Sequence, residues 1–417
     1  MSFNPFEQKT KKTEETFESW KDILVKPYDK TKTDPYTKLR VILMNGTEFE
    51  ANWYSHQFSR HCENNDLRRE IAVIRRVEQQ QQKKISALKP VDENILETTI
   101  GYEQLAVELT ANLARKEKDP YVKMTLDFAL LEDFDHLYRF SNLLMQDHKI
   151  DAATLVDRRT EITPGRPTIS EHRFPKDDVR RYCDNKTADP VTRLNAAIIT
   201  AAEQQTMNFY MNVGNTYCNE EGKKLFLEIA MIEEQHVTQY GCLMDTSCTW
   251  LAGLLEHEYT ECYLYYSCMQ DETNPHIRKI WEVCLEQELA HLHRANELLK
   301  KYEKRDYTSI FHAPAFPEPL TFGKDNIAYI RDVLANTVNL TSKREDYKEV
   351  NKLSEDDEFF GYNKTVNGRD GDEPAHCVIQ NYIGKFGEDY RYETAPNPVK
   401  ELADRKKDNT KVGRCRA

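Results

Sequence analysis

The chain has 417 residues, with 58 Lys and Arg against 70 Asp and Glu, a net charge of −12. Its 14 glycines form neither GxGxxG nor GxxxxGK[ST], the patterns that hold dinucleotides and phosphates, so both function classes are excluded. The acidic balance, without zinc-finger or helix-turn-helix spacing, argues against nucleic acid as a partner.

No run of about eighteen apolar residues is present, and the first twenty residues are polar. The sequence therefore predicts a cytoplasmic protein that does not associate with a membrane. Ten cysteines occur without a CxxC pair, which excludes rubredoxin-type iron sites and predicts reduced thiols.

The first 90 residues are predicted to be an N-terminal extension with one helix. Residues 1–60 are rich in Lys, Thr and Tyr, which predicts an irregular or short-stranded segment. From Asn65 the apolar residues Leu67 and Ile71 recur at helical spacing, and Pro90 ends the pattern.

Residues 91–304 predict six amphipathic helices. They form three hairpins, 93–148, 190–245 and 249–303, and a proline-containing linker, 150–189, joins the first to the second. Residues 305–417 predict one helix near 325–339 and a remainder that wraps the core. The expected fold is therefore all-α, with irregular N- and C-terminal extensions.

Each hairpin carries the same pattern of acids and histidines. An acid precedes a histidine by three residues in its second helix, and another acid stands thirty residues before the first. The three half-sites are Glu103 with Asp133 and His136, Glu203 with Glu233 and His236, and Glu258 with Glu288 and His291. Because positions equidistant from a turn lie level in an antiparallel hairpin, each set should meet at one height.

These acids interrupt apolar stripes. Between Leu194 and Cys218, for example, Glu203 is the only charged side chain. A lone buried carboxylate costs several kcal/mol unless it is paired or bound to metal. Two helices with one Glu each and two with Glu-x-x-His form the ligand set of dimetal four-helix bundles.

The pattern resembles the ferritin-like superfamily, the rubrerythrins in particular. The residues that carry the resemblance are Glu103, Asp133 to His136, Glu203, Glu233 to His236, Glu258, and Glu288 to His291. It implies a four-helix bundle, here extended by a third helical hairpin, with two iron ions bridged by carboxylates; manganese or zinc are alternatives. It also implies redox chemistry on peroxide or oxygen. Asp133 stands where the family has Glu, although Glu132 is adjacent.

The long linker 150–189 allows the first two half-sites to run antiparallel, which favours a centre built from them. The third half-site could instead meet its copy across the two-fold axis of a homodimer. Glu261, one turn beyond Glu258, competes with it as a ligand.

Tyr210 and Tyr240 lie on the metal-facing stripes and are candidate catalytic residues, as hydrogen-bond donors or electron relays; core packing is the alternative. The rubredoxin-like part of rubrerythrins is absent, so the electron donor would be a separate protein. The expected function is a di-iron oxidoreductase that reduces peroxide or oxygen. The alternatives are an oxidase or oxygenase acting on an organic substrate, a ferroxidase, or a scaffold with a structural metal.

Overall fold

The computed structural model describes residues 3–160, 162, 173–323, 326–337, 340–366 and 374–387. This part of the chain is predominantly helical, which confirms the all-α class. Its elements, in chain order, are α1 (Trp20–Ile23), α2 (Pro35–Arg60), α3 (Asn65–Ala87), α4 (Ile95–Lys116), α5 (Pro120–His148), α6 (Ala152–Leu155), α7 (Pro190–Gly214), α8 (Glu220–Gly241), α9 (Trp250–Asp271), α10 (Pro275–Glu303), α11 (Ile327–Thr337), β1 (Leu340–Lys343), β2 (Asp346–Glu349), α12 (Glu358–Val366) and α13 (Pro374–Phe386).

The helices divide into two compact units. The first unit comprises the described residues of 1–92, 183–205 and 244–322, and the second unit comprises those of 93–182, 206–243 and 323–417. This division differs from the predicted single helical domain with two extensions. The third hairpin belongs to the unit that contains α2, α3 and the first part of α7. The ferritin-like bundle extended by a third hairpin stays a prediction.

In the first unit, two helical hairpins pack together. The hairpin of α2 and α3 lies against the hairpin of α9 and α10, with α2 contacting α9 and α3 contacting α10. The prediction that residues 1–60 are irregular or short-stranded is therefore wrong from Pro35 onward, where α2 runs for 26 residues. The N-terminal 90 residues hold two long helices rather than one.

The sequence of α2 lacks the amphipathic pattern that usually indicates a helix. Residues 39–44 are all buried and, apart from Arg40, all apolar, so no amphipathic period appears in the sequence. Gly46 lies in the middle, where a glycine costs about 1 kcal/mol relative to alanine. Its hydrogen faces Gln205, because a Cβ at this position would lie 2.8 Å from the Gln205 Cβ. Close packing therefore explains the glycine.

In the second unit, α4 and α5 form a hairpin, and α8 packs on α5. Two C-terminal helices cover this hairpin: α11 contacts α4 and α5, and α13 contacts α5 and α8. The helix predicted near 325–339 is thus found as α11. The strands β1 and β2 pair antiparallel through a tight turn, with Lys343 opposite Asp346.

Four of the long helices begin with an acid or amide followed by proline. The pairs are Asp34-Pro35, Asp119-Pro120, Asp189-Pro190 and Asn274-Pro275, and each cap oxygen accepts a backbone N–H two residues further on. Among these helices, α5 and α10 both have 29 residues and both end at a lysine with positive φ. Matching start and end signals therefore give these two of the three acid-x-x-His helices the same length.

A buried carboxyl on α4 predicts a pH effect on stability. Glu108 is fully buried and accepts hydrogen bonds from Thr160 Oγ1 (2.7 Å) and Asn326 Nδ2 (2.8 Å). Burial raises its pKa from 4.5 to about 7, against the opposing effect of these hydrogen bonds. Between these two pH values the unfolded chain has released the proton and the folded chain still holds it. The stability contributed by the protonated carboxyl is therefore lost as pH rises from 4.5 towards 7.

We expect Glu108→Gln to remove this dependence, because the amide fits the same site and does not titrate. The free energy of unfolding of the wild-type chain should fall relative to the variant by about 2 to 3 kcal/mol between pH 5 and pH 8. Urea unfolding at each pH, with a chelator present, measures this free energy of unfolding. The control is Glu234→Gln, at an exposed glutamate. An identical pH profile for all three chains would contradict the prediction.

Candidate metal centres

The second unit brings five of the predicted ligands together. They come from α4, α5 and α8, each is at most 1% exposed, and they are Glu103, Asp133, His136, Glu233 and His236. The three-residue spacing in α5 and α8 places each acid one turn before its histidine, as the sequence predicts. Buried apolar residues of α4, α5 and α8 surround these five side chains, which therefore form a polar cluster next to a hydrophobic core.

Glu233 lies between the two imidazoles. Its Oε1 is 2.9 Å from His136 Nδ1, and its Oε2 is 3.3 Å from His236 Nδ1. Ligand atoms within 4.8 Å of one another form two sets that share this residue, one with Glu103 and His136 and the other with Asp133 and His236. A carboxylate common to two ligand sets has the position of a bridging ligand.

Burial and charge act in opposite directions on these acids. Burial raises the pKa of Asp133 above its ordinary value, although His236 opposes the rise. Burial also acts to raise the pKa of Glu233, but hydrogen bonds and positive charge from His136 and His236 outweigh it and hold the pKa well below the usual range. The ionised form of Glu233 therefore depends on positive charge placed within the cluster.

Glu132 does not take the place of the shorter Asp133 among the predicted ligands. Its Oε2 instead lies 2.9 Å from His236 Nε2 and accepts a hydrogen bond from the buried guanidinium of Arg173. Arg173 also donates to Gln239 Oε1 at 2.8 Å. A carboxylate on the outer nitrogen fixes the orientation of a ligating imidazole, and here it turns Nδ1 of His236 towards Asp133, 3.2 Å away.

Arg173 and the outer role of Glu132 were not predicted from the sequence. Arg173 lies in the linker after α5, far in sequence from the acids and outside any helical period. The only signal available was a cation in a segment that must cross the bundle. The structure thus adds a buried ion pair to the surroundings of the predicted site.

The two candidate tyrosines take different places. Tyr210 is fully buried, donates a hydrogen bond to Glu103 Oε1, and packs its ring against Phe140 and Phe226. Burial, and then the charge of Glu103, raises the pKa of Tyr210 well above its ordinary value, so the hydroxyl stays protonated. Tyr240 is also buried, with its ring centre 6.3 Å from that of His236. A catalytic role for either tyrosine stays a prediction.

Glu203 is 1% exposed and lies on α7, in the part of that helix that belongs to the first unit. The boundary between the units follows two residues later, at Gln205. Its burial fits the prediction that it is the acid of an apolar stripe. Its role as a ligand stays a prediction.

The first unit contains a second cluster, which includes the third predicted half-site. Ligand atoms of Glu258, Glu288 and His291 lie within 4.8 Å of one another and of Glu78 on α3. His291 Nδ1 is 3.0 Å from Glu78 Oε1, 3.2 Å from Glu288 Oε2 and 3.6 Å from Glu258 Oε2. The half-site is therefore completed by the same chain, where the sequence suggested a second copy; a homodimer stays a prediction.

Two acids of this cluster, Glu48 and Glu78, were missed. They are thirty residues apart, the spacing of the other three hairpins, but the residue three positions after Glu78 is Gln81 rather than histidine. The acid-x-x-His pattern therefore does not include them. Glu48 and Glu78 also lie within 4.8 Å of Glu261, the residue that competes with Glu258 in the sequence.

Comparison with known proteins gives no match. The chain matches no protein-family model, no curated protein and no solved structure. Among the described residues, no helix combines the length and apolar character that crossing a membrane requires. The case for function therefore depends on the two clusters themselves.

Proposed function

We propose that this chain is a ferritin-like dimetal oxidoreductase that reduces peroxide or oxygen at the second-unit cluster. The ligands would be Glu103, Asp133, His136, Glu233 and His236, with Glu203 as the sixth. The observation that carries the proposal is the position of Glu233, whose two carboxylate oxygens each face one imidazole nitrogen.

The donor set fits a pair of divalent iron ions. Carboxylates and imidazoles together suit iron, with manganese or zinc as alternatives. His136 Nε2 has no hydrogen-bond partner among the described residues although it is buried, and its Nδ1 faces Glu103 and Glu233. When bound, the metal pair would supply the electrons for reduction.

The side chains of the protein would orient and protect this pair. Arg173 and Glu132 fix the ring of His236, and Tyr210 holds Glu103 through its hydroxyl. Burial of all five ligands excludes bulk water. The chain contains no CxxC pair, so the electrons would come from a separate donor protein, in a compartment such as the cytoplasm that keeps the thiols reduced.

Anaerobic loading with ferrous iron followed by peroxide tests the proposal. We expect rapid growth of near-ultraviolet absorption from the oxidised iron pair and consumption of peroxide. His136→Ala with His236→Ala should abolish both, whereas the exposed His148→Ala should leave them unchanged. Retention of zinc without any response to peroxide would favour a scaffold with a structural metal. Oxidation by oxygen with iron release into a mineral would favour a ferroxidase.

A further inference from the structure

The first-unit cluster contains two sets of ligands that share Glu78. One set has Glu78, Glu258, Glu288 and His291, and the other has Glu48, Glu78 and Glu261. Glu78 is therefore placed here as Glu233 is placed in the second unit, as a carboxylate common to two sets. The first set includes a nitrogen donor, and the second offers oxygen alone.

Gln81 explains why one set lacks nitrogen. It occupies the position three residues after the acid, where the other three hairpins have histidine. Its amide Nε2 donates a hydrogen bond to Glu288 Oε1 at 2.5 Å, so the side chain supports a neighbouring acid. Glu261 supplies the third oxygen ligand instead, and the second unit has Thr206 at the equivalent place, three residues after Glu203.

The cluster is buried without compensating charge. Its six side chains are at most 1% exposed, and no Lys or Arg of the described part forms an ion pair with any of them. The basic partners present are His291 and His257; Nε2 of His257 is 3.7 Å from Glu261 Oε2. Five carboxylates around one imidazole leave a large excess of negative charge, which burial makes costly.

Two buried ligand atoms point to an occupant. Glu261 Oε1 and His291 Nε2 have no hydrogen-bond partner among the described residues. Native proteins satisfy nearly all such buried polar atoms, so unsatisfied ones within a ligand cluster indicate a missing ion. A cation that neutralises the excess of carboxylates would account for both observations.

We infer that the six side chains Glu48, Glu78, Glu258, Glu261, Glu288 and His291 form a second centre for two divalent cations, with unlike positions. The oxygen-only position, between Glu48, Glu78 and Glu261, selects a hard cation such as Mn²⁺. The other position holds its cation through His291. Carboxylate ligands suit Mn²⁺, whereas an imidazole favours zinc and iron, and this difference sets the selectivity.

Competitive loading of the metal-free, full-length chain tests the inference. The protein is dialysed against Mn²⁺ in about a thousandfold excess over Zn²⁺, because Zn²⁺ binds most oxygen and nitrogen sites more tightly than Mn²⁺ does. The bound metals are then counted by atomic emission. We expect Glu261→Gln to retain about one Mn²⁺ per chain less than the wild-type protein. The control is Glu297→Gln on α10, whose side chain is 69% exposed, and it should keep the wild-type content.

Gln81→His supplies a second variant that adds a ligand. With an imidazole at the oxygen-only position, about one Mn²⁺ per chain should be replaced by Zn²⁺. Circular dichroism and the unfolding midpoint establish that each variant is folded. Equal Mn²⁺ content in wild-type protein and a folded Glu48→Gln/Glu261→Gln variant would overturn the inference. The inference does not rest on the function proposed for the second unit, whose ligands these variants leave intact.

Discussion

Replacing Glu233 by alanine is expected to remove both metal ions from the second unit and to abolish peroxide reduction. Glu233 is the one residue common to both ligand sets, and its two oxygens face His136 and His236. Its loss therefore takes a ligand from each ion. Metal analysis after saturation and dialysis should record a fall of about two metal ions per chain.

The adjacent Glu234→Gln is the matched control, because that residue is exposed on the same helix. It should bind metal and reduce peroxide like the wild-type chain. Full metal content in Glu233→Ala would contradict the bridging role. A parallel measurement on Glu203→Ala tests the remaining predicted ligand, since undiminished metal content there would remove Glu203 from the centre.

Arg173→Met is expected to lower the free energy of unfolding by about 3 to 5 kcal/mol. Arg173 is fully buried, and its guanidinium contacts Glu132, which is 2% exposed. Methionine of similar length keeps the packing against Phe128, whose ring centre lies 5.1 Å from the guanidinium carbon. The cost then comes from the carboxylates of Glu132 and Asp178, which stay buried without their cation. Urea unfolding of the metal-free chain measures the loss.

A surface ion pair of the same unit provides the control. Lys176 Nζ lies 2.6 Å from Glu358 Oε2, and both side chains are more than half exposed. Lys176→Met should therefore change stability by about 1 kcal/mol or less. The double variant Arg173→Met/Glu132→Met should recover part of the loss, because the Glu132 charge is then removed and only Asp178 is left without its cation. A loss below about 1 kcal/mol for Arg173→Met would show that the pair is not a structural link.

Sequence patterns located the buried clusters of acids and histidines well, because helical spacing sets which side chains share a face. An acid and a histidine three residues apart share a face in any α-helix, so Glu233 and His236 needed only a correct helix assignment. The end of that helix was placed too late, at 245 rather than Gly241, because Leu243 and Met244 continue the apolar pattern. The packing of α2 and α3 against the third hairpin was not predicted, for a different reason.

The sequence patterns did not predict which helices pack against one another. No local sequence pattern in α2 or α3 indicates that they pack against α9 and α10, which lie more than 160 residues later in the chain. The same holds for Arg173, which reaches Glu132 from an irregular segment. Such long-range contacts depend on the complementary shape and charge of the packed helices. A local sequence pattern does not contain this information. The Asp34-Pro35 start signal was present, but the buried run that follows gave no period to support it.

The order of the hairpins has a consequence for how the protein is made. The hydrogen bond between Gln81 and Glu288 joins residues 207 positions apart, so the first unit has a high contact order. On the ribosome, α2 and α3 emerge early and must wait, with their buried carboxylates uncovered, until α10 is synthesised. The second unit has its last ligand, His236, 55 residues before His291. Its cluster is therefore the first that translation completes, and any chaperone that protects the nascent chain would act on the hairpin of α2 and α3.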